Sequence, residues 1–355
     1  MQRFLLNVFL TCMFLTCMTI IVITNTVKNN PLLVQSPNTE NQPSSVLAIT
    51  ERHYPSQNNT ANQTSLQVST PVPFFSHITY ISNPTTICDS FKTYNGTKIL
   101  MLVKSSPGNF HLRKWIRYKT KSYKDFKDSV KTIFLLGKSD KWDEDILKEC
   151  EKNGDIIQGS FIDAYRNLTY KTVMGYRWLS EHCADSEFVV FRDDDFKVNF
   201  VNLIQQIKSH KNPQSMFMGL LINKGRTIYR DPKHKWYLSK TDYPKSVLPP
   251  YFPGGAYLVS TSIARNLSSN FHLVKWLPID DVYIGLVAQN VGVNLTHSKL
   301  FAFKNCDKFS TIMACREFSR PQEVLEAWRA VTVDDLQQKG LEPILNHIIA
   351  IQKLL

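Results

Sequence analysis

The chain has 355 residues, 43% of them hydrophobic and 20% charged, which excludes a disulfide-stapled miniprotein and argues against a wholly disordered chain. Lysine and arginine number 42 against 30 acids, a formal charge of +12. That charge suits nucleic acid, an anionic membrane or a phosphate-bearing small substrate, and does not choose among them.

Phe4 to Ile23 form an uncharged apolar run preceded by Arg3. Twenty helical residues span ~30 Å, the thickness of a bilayer core. The run is long for the apolar part of a cleaved signal peptide, and Thr24-Asn25-Thr26 is a poor small-residue cleavage site. The expectation is therefore a cytoplasmic tail over 1–3, a signal-anchor helix over 4–24 and a lumenal remainder. Asn-x-Ser/Thr acceptors at Asn58, Asn62, Asn95, Asn167, Asn266 and Asn294 fit that compartment. So do Cys88, Cys150, Cys183, Cys306 and Cys315, for which two bridges and one free thiol is the simplest arrangement, with Cys306–Cys315 the favoured pair. Nucleic acid is a poor partner in the lumen.

Residues 25–85 are rich in Asn, Gln, Ser, Thr and Pro without periodicity and read as an unfolded stem, leaving 86–355 as the folded domain. Lys98 to Val103 is an apolar run expected to be a buried strand. Phe110 to Tyr123 is a basic helix, Lys131 to Leu136 a second strand, and Asp143 to Asn153 a helix stopped at Gly154. Asp155 to Ile157 is a short third strand. Leu168, Thr172, Tyr176 and Leu179 mark one face of a helix over 163–183. Phe188 to Phe191 is a fourth strand running straight into Asp193-Asp194-Asp195. Alternating strands and helices predict an α/β layer structure with a mostly parallel sheet, in which ligands bind beyond the carboxyl ends of the strands.

The aspartate triplet lies at such an end. Adjacent carboxylates repel one another, and a hard divalent cation bridging to phosphate would compensate them; a solvated acidic turn is the alternative. Asp280-Asp281 follows Pro278 in an otherwise apolar stretch. One acid there can cap a helix while the other acts as a general base. Gly254-Gly255 before Tyr257 permits close backbone approach, or merely a turn. Arg113 and Arg117 share a helix face and could hold a diphosphate, or form a solvated basic face.

Together these blocks resemble the β-1,3-glycosyltransferase family of β-1,3-galactosyltransferases, β-1,3-N-acetylglucosaminyltransferases, Brainiac and Fringe. The resemblance runs through Arg113…Ile116-Arg117…Thr120, Phe134 to Gly137, Gly154 to Ile157, and Asp163 to Thr172. It continues through Asp193-Asp194-Asp195, Pro253 to Tyr257 with Ser260, and Asp280 to Gly285. It implies a GT-A type nucleotide-sugar-binding fold, a UDP-sugar donor, Mn²⁺, inversion at the sugar carbon and a Golgi type II membrane protein. By position it implies Asp195 as metal ligand, Asp193 and Asp194 near nucleotide and sugar, and Asp281 as catalytic base. Asp280, Gly254, Gly255 and Tyr257 would border the acceptor, a glycolipid or glycoprotein glycan. His297 is a further candidate metal ligand, and Lys171 or Arg113 would neutralise the departing diphosphate. The chain departs from the family at Thr120-Lys121, where Thr-Trp is usual, and at Asp280-Asp281-Val282, where many galactosyltransferases carry Glu-Asp-Val. The donor sugar therefore stays open among Gal, GalNAc and GlcNAc. Two other readings compete: a lumenal glycan-binding protein that keeps the fold without turnover, and a metal-dependent phosphohydrolase.

Overall fold

Strands with apolar residues on both faces decide the architecture. A computed structural model describes residues 75, 77–93, 96–223, 226–303 and 306–338. In strand β2 (Ile99–Lys104) every residue is buried. Ile99, Met101 and Val103 point into one apolar layer, Leu100 and Leu102 into another, as a strand covered on both faces requires. Its neighbours are β3 (Val130–Lys138), β4 (Ile156–Ile162) and β5 (Phe188–Asp193). The order β4-β3-β2-β5 is parallel throughout.

The sheet is mixed, however, rather than mostly parallel. The edge strand β1 (Tyr80–Ser82) runs antiparallel to β4. On the other side β8 (Ala256–Ser260) is antiparallel to β5, β7 (Phe217–Gly219) is antiparallel to β8, and β9 (Thr296–His297) is parallel to β7. A small second sheet joins β10 (Phe301–Ala302), β11 (Ala314–Arg316) and β6 (Phe196–Val198).

Helices cover both faces. α1 (Phe110–Ser122), α2 (Asp143–Asn153) and α4 (Phe200–Ser209) contribute Ile116, Ile146, Leu203 and Ile207 to the layer under Met101. α3 (Leu168–His182), α5 (Thr261–Asn270) and α6 (Asp280–Asn290) contribute Tyr176, Leu179, Ala264 and Tyr283 to the opposite layer. α2 ends at Gly154, whose φ of 61° is strained for any side chain. α3 starts later than the periodicity suggests, because Tyr165–Asn167 form a 3-10 turn. α7 (Pro321–Gln338) lies on α1, with Trp328 edge-on to Trp115.

The folded unit begins before residue 85. Phe75 and Ile78 are buried in the core. Arg177 donates to the Tyr80 hydroxyl, and the Trp178 indole donates to Asn83 Oδ1. A sparse apolar pattern hides these residues in the sequence, since a three-residue edge strand needs only a few contacts. A chain beginning at Asn83 loses two buried side chains and β1. It is expected to melt at least ~3 °C below one beginning at Ser69; equal melting temperatures would show that the strand contributes nothing.

Disulfides join Cys88–Cys183 and Cys306–Cys315, leaving Cys150 free among the described residues. The short bridge is the one favoured from the sequence. Asn266 and Asn294 are exposed, whereas Asn167 is half-buried with its amide donating to Ile162 O. The tail over 1–3, the membrane helix over 4–24, most of the stem, Cys12, Cys17, Asn58, Asn62 and Asn95 lie outside the described residues. Among those described, no helix is long and apolar enough to cross a membrane.

Candidate active site

The carboxyl ends of β2 and β5 set Lys104 directly opposite Asp193. Lys104 is buried, and its Nζ lies 2.9 Å from Asp280 Oδ2 and 3.2 Å from Asp193 Oδ1. Burial alone would lower its pKa, but the charges of Asp193, Asp280 and Asp281 hold it well above the usual lysine value. The sequence reading missed this residue. Its signal is a single cation ending an otherwise apolar buried strand, where an ammonium is tolerable only if carboxylates meet it.

Asp280 and Asp281 open α6 but do not cap it: Ile279 occupies the cap position, with no side-chain cap bond. Both acids lie in the first turn, where the helix dipole favours negative charge. Asp280 is buried, and Thr172 Oγ1 donates to its Oδ2 at 2.7 Å. Burial would raise its carboxyl, yet Lys104 and Thr172 outweigh that and hold it below the ordinary range. Asp281 behaves oppositely. Burial, then the charge of Asp280 beside it, pushes it well above the ordinary range. Two neighbouring acids with pKa values driven apart are the arrangement in which one stays ionised and the other exchanges a proton.

Gly254 completes this pocket. Its N–H donates to Asp281 Oδ2 at 2.8 Å. A Cβ there would sit 3.2 Å from both Asp281 Oδ1 and Lys104 Nζ, and 3.4 Å from Asp193 Oδ2. A side chain at residue 254 would therefore crowd the acids and Lys104. At Gly255 a Cβ would run into the Phe196 ring, so that glycine serves packing.

The triplet's carboxylates diverge. Burial pushes Asp193 up to about 7 against the opposing charge of Lys104; with 36% of its side chain exposed, water tempers that shift. Asp194 Oδ2 accepts from Ser105 Oγ at 2.7 Å and Asn109 Nδ2 at 2.9 Å. Asp195 Oδ2 lies 3.0 Å from Arg316 Nε, an ion pair without directed hydrogen-bond geometry, and its Oδ1 is buried with no partner. A cavity of about 360 Å³ opens beside Asp194 and Asp195 and is also lined by Gly108, Asn109, His111 and Arg320.

Several expected site residues serve elsewhere. Arg113 is fully buried and donates to Glu149, Ser105 Oγ, Ser106 O and Pro107 O. Arg117 is held by Glu149 and Asp155. Lys171 is buried against Asp163 and Ser105 O. None of the three offers a free charge to a diphosphate. Arg113 and Lys171 instead fix the loop after β2 that carries the partners of Asp194. Tyr257 is buried, stacked on Phe191 and bonded to the Tyr176 hydroxyl, so it is core rather than acceptor border. His297 is exposed on β9, with Nδ1 accepting from Leu221 N–H. No three His, Cys, Asp or Glu among the described residues converge on a metal position.

The profile of the family described as Galactosyltransferase matches residues 111–299. Beta-1,3-galactosyltransferase brn of Drosophila melanogaster is 36% identical over 243 residues, 65% of this chain and 73% of that protein. Beta-1,3-galactosyltransferase 5 of Homo sapiens is 32% identical over 211 residues, 57% of this chain and 67% of that protein. Among solved structures, a glycosyltransferase involved in the glycosylation of the major capsid of PBCV-1 aligns with a TM-score of 0.37 and 13% identity, covering 65% of this chain and 98% of that one.

Proposed function

The chain belongs to the β-1,3-glycosyltransferase family, through its Galactosyltransferase domain, and on that premise we propose that it transfers Gal, GalNAc or GlcNAc from a UDP-sugar to the 3-hydroxyl of a glycolipid or glycoprotein glycan, with inversion, on a GT-A type fold. The observation that carries the proposal is the geometry around Asp281: the Gly254 N–H donates to its Oδ2 at 2.8 Å, and the neighbouring Asp280 pairs with Lys104 at 2.9 Å.

In this reading Asp281 Oδ2 is fixed by the Gly254 N–H, and Oδ1 takes the proton of the acceptor hydroxyl as that oxygen attacks the sugar carbon from the face opposite UDP. One base suffices for a single displacement. Asp280 holds Lys104, which keeps the clustered acids from repelling one another. The donor nucleotide occupies the cavity beside Asp194 and Asp195, with Arg320 at its rim.

Asp195 fits a hard divalent cation, because its buried Oδ1 has no partner and carboxylate oxygens are the donors such ions take. Bound there, Mn²⁺ would offset charge on the departing diphosphate. A Golgi type II arrangement, with the folded domain lumenal, is supported by the apolar run over 4–23 and by two disulfides, which persist in oxidising compartments.

Incubation with UDP-Gal, UDP-GalNAc or UDP-GlcNAc, Mn²⁺ and a glycan array should give β-1,3-linked product and UDP from one donor. Inorganic phosphate as product would identify a phosphohydrolase, and binding without turnover a glycan-binding protein. Asp195→Asn should weaken Mn²⁺-dependent UDP binding by at least ~10-fold, the lower end of what loss of even an outer partner costs, with Tm unchanged. Calorimetry showing the same Mn²⁺ dependence as wild type would remove Asp195 from the metal site.

A further inference from the structure

Between β7 and β8 the chain leaves the sheet for a long excursion. Antiparallel bridges Ile222↔Tyr251 and Thr227↔Val247, and a parallel bridge Tyr229↔Tyr237, tie it together. Arg230 staples it from within, donating to the carbonyls of Leu238, Ser239, Tyr243 and Lys245 at 2.7–2.8 Å. A segment held this tightly is a built surface rather than a loose connection.

It displays aromatic rings to water. Trp236 is 46% exposed and Tyr229 42%, and Tyr165, on the turn after β4, is 41% exposed. The rings form one cluster. Tyr229 stacks on His234 at 3.6 Å, and the Trp236 centroid lies 5.6 Å from that of Tyr229. Trp236 Nε1 donates to Tyr165 Oη at 2.8 Å. Exposed apolar residues are ordinarily scattered, and a fixed contiguous group marks a binding surface.

Two connections lead from the cluster to the acid pocket. The excursion returns through Tyr251, which packs on Gly285 of α6, and then reaches Gly254, bonded to Asp281. Tyr165 follows the carboxyl end of β4, on the same sheet edge as Lys104 and Asp193. Burial pushes its phenol up, and the charges of Asp281, Asp280 and Asp193 add to that against the Trp236 bond.

We propose that Trp236, Tyr229 and Tyr165 form a platform on which a sugar ring of the acceptor glycan stacks, its C–H face on the aromatic rings. A pyranose is amphipathic in the required way, with an apolar face and a hydroxyl-bearing edge. Stacking directs that edge along the rim, where Lys235 lies 4.4 Å from the Tyr165 centroid, and toward Asp281. The platform acts on the acceptor and not on the donor, which occupies the cavity at Asp194 and Asp195. This inference rests on the transferase reading above.

The test compares wild type with Trp236→Ala, Trp236→Phe and Tyr229→Ala. Lactose and N,N′-diacetylchitobiose serve as acceptor probes, and UDP release without acceptor reports the donor site. Trp236→Ala should raise the acceptor KM by ~10-fold or more, as loss of an aromatic anchor does. Donor hydrolysis and Tm should stay unchanged, and Trp236→Phe should restore most of the affinity. An unchanged acceptor KM in Trp236→Ala overturns the platform, as does absence of glycan binding by wild type that still hydrolyses donor. Absence of UDP release from every donor overturns the transferase reading instead. Quenching of tryptophan fluorescence by the two glycans, lost in Trp236→Ala, then still decides the platform.

Discussion

Asp281→Asn is expected to lower the transfer rate at saturating donor by about 10²–10⁴-fold, the range a positioned general base supplies. UDP–Mn²⁺ binding should stay close to wild type. Asparagine keeps the shape, and its oxygen can still accept the Gly254 N–H that Asp281 Oδ2 accepts at 2.8 Å. Stability should not fall. The folded protein holds the Asp281 carboxyl well above its ordinary value, so the native state takes up a proton more readily than the unfolded chain does. Such a group is destabilising at neutral pH, and its removal leaves Tm equal or slightly higher. The same shift sets the pH profile. The base works only when unprotonated, so kcat/KM of the wild type should decline on acidification at a pH well above ~4, where an unperturbed aspartate titrates. Asp280→Asn should differ in kind, losing stability because it leaves Lys104 half-paired. If Asp281→Asn transfers at near the wild-type rate, the base lies elsewhere; if only Asp280→Asn is inactive while stably folded, the two roles are exchanged.

Lys104→Met is expected to destabilise the fold by about 3–5 kcal/mol, the cost of removing one partner from a buried ion pair. The methionine stem fills the same space, so the loss is electrostatic: Asp280 keeps Thr172 but loses the cation 2.9 Å away. The pH window follows from the two directions of shift. The raised Lys104 pKa contributes stability at all pH values below the unfolded lysine pKa of ~10.4, and that contribution disappears as pH rises through the still higher folded value. The depressed Asp280 pKa contributes above ~3.9 and is lost as pH falls through its folded value. The difference between wild type and mutant is therefore largest at neutral to mildly alkaline pH, and it shrinks in acid as Asp193, pushed up to about 7, and then Asp280 take up protons. Urea denaturation at pH 7 and at pH 3 measures both. A loss below ~1 kcal/mol at pH 7 would mean that water already compensates the acids.

Local pattern carried a large part of this molecule. An apolar strand ending in three aspartates, and two acids at the start of an apolar helix, are features of residues close together in the chain. Periodicity and turn chemistry reveal such features because backbone geometry imposes them on any neighbouring residues. The α/β alternation, the triplet at the end of β5, the placement of Asp280 and Asp281 and the Cys306–Cys315 bridge were all legible in this way. Partners far apart in sequence were not. Arg113 reads as a free cation until Glu149, 36 residues on, closes over it, and Lys171 until Asp163 and the loop after β2 enclose it. Lys104 becomes the centre of the acid pocket only when packing brings it to Asp280, 176 residues away. A charge pattern states what a side chain can pair with, while the choice of partner depends on which groups lose water together when the layers close. For that reason sequence determined the elements and the order of the acids, and tertiary structure decided which charges compensate one another and which stay open to a ligand.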